Sequence, residues 1–164
     1  ERIIADAAKL LGSQGDDLLT GEQRKLDDHK ALQEEIKSLR SQLAMGRATQ
    51  LAALAHDGVV VTQVDGHDPG ELRELAVAVR QQPGMRIAVL IGVTPSGGVG
   101  LVAAVEPGGG QPASVLLTAA AKAVGGGGGG KGDIATAGGK DPSGVGEALQ
   151  LAAQAVAEYV AEAT

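Results

Sequence analysis

Residues 125–133 read GGGGGGKGD, and six glycines followed by Lys131 are the residues of this 164-residue chain most suggestive of chemistry. A phosphate-cradling P-loop follows GxxxxGK[ST], and Gly125, Gly130 and Lys131 satisfy most of it. Position 132 is glycine, however, so the hydroxyl that would hold Mg²⁺ is missing. The run also follows AAAKAV, a helical pattern, where a P-loop would follow a strand. Nucleoside triphosphate binding is therefore set aside. A GxGxxG match carries nothing, because a polyglycine run satisfies it trivially.

Two readings stay open on the residues alone. One is a flexible spacer. The other uses charge: between residues 122 and 140 stand Lys122, Lys131 and Lys140 against one acid, Asp133, a local +2 inside a chain of net charge −6. Glycine has no Cβ, so its amides can approach a bulky polyanion closely and turn several N–H donors toward it. A helix N-terminus beyond the run would add partial positive charge. On that reading the tract is an RNA-facing surface. Lys131 and Lys140 are the leading contacts, Lys122 a weaker one, and Gly128, Gly129, Gly130, Gly138 and Gly139 supply the backbone geometry.

Other chemistries find little support. His29, His56 and His67 have no ligand spacing. Asp65, Asp68 and Asp141 sit where turns and helix caps are expected. No Ser-His-Asp set or paired acid can be drawn, so no catalytic residue and no metal ligand is assigned, and no cofactor is expected. The chain has no cysteine, which rules out disulfides and thiolate zinc sites within it. Tyr159 is its one aromatic residue, too few rings for a base-stacking surface. No apolar stretch approaches the ~18–20 residues of a membrane span. The expectation is a soluble cytoplasmic chain without a membrane partner. Its start, ERIIADAAKLLG, falls inside a helical pattern, which suggests a piece of a longer protein.

The elements that must position the tract follow from periodicity. Residues 1–46 read as helical: Ile3, Ile4, Ala7, Ala8 and Leu11 recur at helix spacing, with Gly12 as a stop and a second helix from about Asp16. Leu32, Ile36, Leu39 and Leu43 follow at intervals of four, three and four, the spacing of a two-helix seam. An antiparallel helix pair with residues 1–11 fits better than a long coiled coil, because His29 and Lys25 continue the stripe backwards. A boundary is expected near Met45–Thr49, giving a helical connector over 1–46 and a glycine-rich globular domain over 47–164.

Within that domain RATQLAALAH reads as a linking helix, and VVVTQV (59–64) as a strand. Asp68, Pro69 and Glu71 then form the start signal of a helix that Pro83-Gly84 stops. RIAVLIGV and VGLVAAV read as two strands joined by TPSGG, and PASVLLTAAAKAV as a helix running into the glycine tract, taken as a loop. Asp141-Pro142 opens a last helix whose buried face is Val145, Leu149, Ala152, Val156 and Val160. The fold class is α+β or α/β: a helical hairpin or short coiled coil, then a small domain of three to four strands with packed helices.

The stretch GGGGGGKGDIATAGGKDP resembles the C-terminal region of alanyl-tRNA synthetases, the DHH-associated domain called C-Ala. Members of that family commonly carry a glycine cluster with a basic residue, then Pro-Asp-Met-Ala-Gln-Ala-Gly-Gly. Lys131 fills the basic position, Asp133, Ala135, Ala137, Gly138 and Gly139 match, and Ile134 stands for the methionine. Gly132 replaces the usual proline, Thr136 the usual glutamine, and Gly127 stands where a second basic residue is frequent. VDGHDPGELRELA is similar to the family's segment before its first long domain helix, and residues 1–46 to its helical connector. The resemblance implies a domain without catalysis that grips the elbow of alanine tRNA and serves aminoacylation and editing centres in upstream synthetase domains. A homodimer is a further partner it implies, and self-association the alternative role.

Overall fold

The structure, a computed structural model, describes residues 3, 6, 18–108 and 110–162. The chain divides into two compact units, Glu1–Leu43 and Ala44–Thr164. Leu18–Ala52 form one helix of 35 residues, α1. It passes through residues 45–49 without a break, so the linking helix expected from RATQLAALAH is its last part. The expected pairing of the seam with residues 1–11, and a helix start near Asp16, lie outside the described residues. Leu32, Ile36, Leu39 and Leu43 are 50–69% exposed.

The second unit is a five-stranded mixed sheet with helices on both faces. Val59–Gln63 form β1, Pro69–Arg80 α2, Ile87–Val93 β2 and Val99–Val105 β3. A short 3₁₀ helix, Ala113–Leu117, leads into α3, Thr118–Ala123. Gly127–Gly129 form β4, Ile134–Gly139 β5 and Val145–Glu162 α4. The sheet order is β1-β2-β3-β5-β4, parallel between β1 and β2 and antiparallel elsewhere. Five strands thus stand where three to four were expected. The two additions, β4 and β5, come from the stretch read as a loop.

Side-chain alternation builds two cores on the two faces. Ile87, Val89, Ile91, Leu101, Ala103 and Ala135 face the 3₁₀ helix, α3 and α4, whose Val145, Ala148, Ala152 and Val156 are buried. Leu149 and Val160 of the expected stripe are partly buried against the same cluster. Ala88, Leu90, Val102 and Ala104 face Leu72, Leu75, Ala76 and Val79 of α2 and Ala48 of α1. Small side chains let these layers come close, as a core without Phe or Trp requires. Tyr159 spans the edge of the first core and donates its hydroxyl to the Gln111 carbonyl at 3.0 Å.

Local signals account for the element ends. Asp68 accepts from the Glu71 amide at 2.8 Å while Glu71 accepts from the Asp68 amide at 3.2 Å, a full capping box at the start of α2. The Asp141 side chain caps the turn Pro142–Gly144 that precedes α4. Asp65 extends the β1–β2 ladder, its Oδ1 accepting from the Val93 amide at 2.8 Å.

Candidate nucleic-acid interface

The six glycines are neither a spacer nor a loop; they end a helix and form a strand. Gly125 has φ +63 and sits just past α3. Its amide donates to the Lys122 carbonyl at 3.0 Å and that of Gly126 to the Ala121 carbonyl at 2.9 Å. This is the Schellman arrangement, in which the left-handed residue is normally glycine because a Cβ would clash. Gly127–Gly129 then pair with β5 as an edge strand, with Gly127 opposite Gly138, Gly128 opposite Ala137 and Gly129 opposite Thr136.

Alternate glycines of the strand do different things. A Cβ at Gly126 would lie 1.8 Å from the Gly138 carbonyl oxygen, at Gly128 2.3 Å from the Ala137 Cα, and at Gly130 2.5 Å from the Ile134 carbonyl oxygen. The fold itself excludes side chains at these three positions. A Cβ at Gly127 or Gly129 would meet nothing within 4 Å. These two glycines leave an open floor, continued on β5 by exposed Gly138 and partly exposed Thr136. As an edge, β4 also leaves every second residue's N–H and C=O facing outward.

The turn between β4 and β5 is tied by backbone at two points. The Asp133 carbonyl accepts from the Val105 amide at 2.8 Å and the Gly132 carbonyl from the Ala113 amide at 2.9 Å. Gly132 has φ +92, a conformation closed to proline. At the other end of β5 a Cβ on Gly139 would lie 2.3 Å from Val124 Cγ2. There the Val124 carbonyl accepts from the amides of Lys140 and Asp141 at 2.9 and 3.0 Å.

The three lysines are all exposed but do not form one cluster. Lys131 lies on the β4–β5 turn and Lys140 just beyond the opposite end of β5, a strand whose ends are roughly 17 Å apart. Lys122 lines a cleft with Tyr159, Glu158 and Glu162, beside α4 rather than at the glycine floor. Asp141 points its carboxylate at Ser143, accepting from the hydroxyl at 2.5 Å and the amide at 3.0 Å. Those bonds, the hydroxyl first, hold its carboxyl below the usual carboxylate range.

The remaining ionisable residues are dispersed. His29 is exposed on α1, His56 pairs by backbone with Val59, and His67 Nδ1 lies 3.0 Å from the Asp65 carbonyl oxygen, with Arg47 against its other nitrogen. Asp68 and Asp141 cap helical turns and Asp65 bonds the β2 backbone. Among the described residues no three His, Cys, Asp or Glu side chains stand together as a metal-ligand group. None of their helices is long and apolar enough to cross a membrane. Sequence reasoning overlooked the cations of α2, Arg73 and Arg80. They stand seven residues apart on a capped helix, and the sequence alone gives no sign of which way they face.

Comparison with known proteins gives this hairpin a context. Residues 56–160 match the model of the DHHA1 domain. The chain is 36% identical to an alanine–tRNA ligase of Xanthomonas campestris pv. campestris, over 98% of this chain and 18% of that protein. It is 40% identical to the chloroplastic/mitochondrial alanine–tRNA ligase of Micromonas pusilla, over 84% of this chain and 16% of the relative. It thus spans under a fifth of the length of these curated relatives. The crystal structure of the C-Ala domain from Aquifex aeolicus alanyl-tRNA synthetase is similar, with a TM-score of 0.52 and 26% identity. That match covers 59% of this chain and 88% of the other. With the domain model spanning both sheet edges and the glycine hairpin between its ends, the chain belongs to the DHHA1 domain family.

Proposed function

We propose that this chain is a tRNA-binding accessory part of an alanine–tRNA ligase, working in the cytoplasm with charging and editing performed by other domains of the same enzyme. The observation that carries the reading is the glycine hairpin: an edge strand without side chains, open at Gly127 and Gly129, with Lys131 and Lys140 at the two ends of its partner strand. Such a surface suits shape recognition of folded RNA, where phosphates and sugar edges are gripped and no base is stacked. Its proposed target is the elbow of alanine tRNA, where the D and T loops meet. Isolated affinity is modest on this reading, and tethering to the enzyme body supplies effective concentration. Gly128, Gly130 and Gly139 act by holding the strands together, and Lys122 contributes least.

The test is binding of the 164-residue chain to alanine tRNA and to the same tRNA without its D and T loops, repeated with Lys131→Ala and Lys140→Ala. The expected result is binding that needs the loops, weakens with each lysine removed and loses roughly 0.7–0.9 of log–log salt slope per phosphate contact. Absence of binding at low salt would overturn the proposal.

One observation favours a second reading, self-association. Leu32, Ile36, Leu39 and Leu43 form an exposed apolar stripe at seam spacing on α1. A sedimentation coefficient that rises with concentration, and falls back in Ile36→Glu, would support it.

A further inference from the structure

We infer that Arg73 and Arg80 form a second row of RNA-phosphate contacts along the open floor of the glycine hairpin; the inference rests on the RNA-binding reading above. At 100° per residue, Leu72, Leu75, Ala76 and Val79 turn toward the sheet, while Arg73, Val77 and Arg80 share one flank of α2. Ala78 lies on the other flank.

The topology decides where each flank faces. Parallel strands joined by a helix cross over right-handed. With the sheet order β1-β2-β3-β5-β4, that sense turns the arginine flank toward β5 and the Ala78 flank toward the β1 edge. Packing agrees on both sides. Gln82 Nε2 donates to the Ala78 carbonyl at 3.4 Å, and Gln82 Oε1 accepts from the Thr49 hydroxyl of α1 at 3.5 Å. On the sheet, a Cβ on Gly100 would lie 3.3 Å from Leu72 Cδ2, and Gly100 pairs with Gly138 of β5. Ile134 of β5 packs against the same cluster as Leu72 and Val79.

Direction and length also match. α2 runs opposite to β5, so Arg73 lies toward Gly138 and Arg80 toward Ile134 and the turn that carries Lys131. Seven residues of helix rise about 10 Å, and the four steps from Gly138 to Ile134 about 13 Å. The arginines therefore span the floor made by Gly127, Gly129, Thr136 and Gly138, on which no side chain exceeds threonine. Arg73 is exposed; Arg80 is half-buried, and its Nε is buried with no hydrogen-bond partner. A buried donor without an acceptor is costly, and a guanidinium that swings out to a phosphate oxygen gains an acceptor suited to its fork. An RNA backbone seated on the glycines would meet a cation row on one side and Lys131 at one end. Glu71 and Glu74 occupy the rest of the helix surface, off this flank.

The experiment measures binding of the 164-residue chain to an alanine tRNA transcript over a salt series, for wild type, Arg73→Ala, Arg80→Ala and Arg86→Ala. Arg86, which faces Glu106 at 3.9 Å before β2, changes net charge equally and serves as control. Expected are roughly tenfold weaker binding and a salt slope smaller by about 1 for each of the first two, with Arg86→Ala like wild type. Arg73→Ala and Arg80→Ala matching Arg86→Ala, while wild type binds, would overturn the inference and leave the RNA reading standing. Absence of wild-type binding would overturn both. Thermal melts accompany each variant; if Arg80→Ala melts early, exposed Arg73 and the charge reversal Arg73→Glu decide.

Discussion

An alanine at Gly128 would bring its methyl 2.3 Å from the Ala137 Cα, whereas at Gly129 it would meet nothing within 4 Å. Two neighbouring residues of one composition thus stand in different surroundings: the fold excludes a side chain at one and leaves open space at the other, space that the proposed RNA contact would use. Gly128→Ala is expected to lower stability by about 1–3 kcal/mol, the usual cost of overpacking against a fixed backbone. Gly129→Ala is expected to stay within about 0.5 kcal/mol of wild type yet weaken tRNA binding several-fold, because a methyl on the floor keeps a phosphate backbone away. Thermal melts beside a binding isotherm separate the two effects; equal stability losses would show the floor to be structural. The sequence disclosed the residue types here but not this division of labour, since a run of identical glycines carries no alternation to read.

At the scale of elements, Asp65 fastens the end of β1 to β2. The Val93 amide first, and then the Gln63 side chain at 3.0 and 2.8 Å, hold its carboxyl below the usual carboxylate range. A folded-state pKa below the unfolded one gives stability that is complete above the unfolded value of ~3.9 and is lost as pH falls through the folded value. Asp65→Asn is therefore expected to lose less stability than wild type between about pH 4 and pH 2, read from urea midpoints, with Asp141 keeping part of the slope in both. Such elements were legible where residues signal their own structure: β-branched runs gave β1, β2 and β3, and the Asp68-Pro69-Glu71 start gave α2. β4 and β5 were not, because GGG and IATAGG have little strand propensity of their own and become strands by pairing, β5 with β3 and β4 with β5. At Met45–Thr49 the composition changes and the compact units divide close by, at Leu43/Ala44, yet the helix does not stop there: α1 runs on through Gly46 to Ala52. Arg73 and Arg80 escaped notice because a charged helix flank ordinarily just faces water; only strand order gives theirs a direction.

For the whole molecule, the exposed stripe on α1 and the glycine hairpin belong to different units of the chain. Ile36→Glu and Leu39→Glu are expected to leave the melting temperature unchanged in a thermal melt and the tRNA affinity within about twofold of wild type on the same salt series. A large loss of affinity would tie RNA binding to self-association. Following such variants is made simpler by Tyr159, whose hydroxyl meets the Gln111 carbonyl at the seat of α4. With no tryptophan or phenylalanine in the chain, all intrinsic emission and all near-ultraviolet dichroism come from that one phenol. The molecule carries its own single-site optical label, which reports detachment of its last helix and is separate in the sequence from the hairpin and from α2.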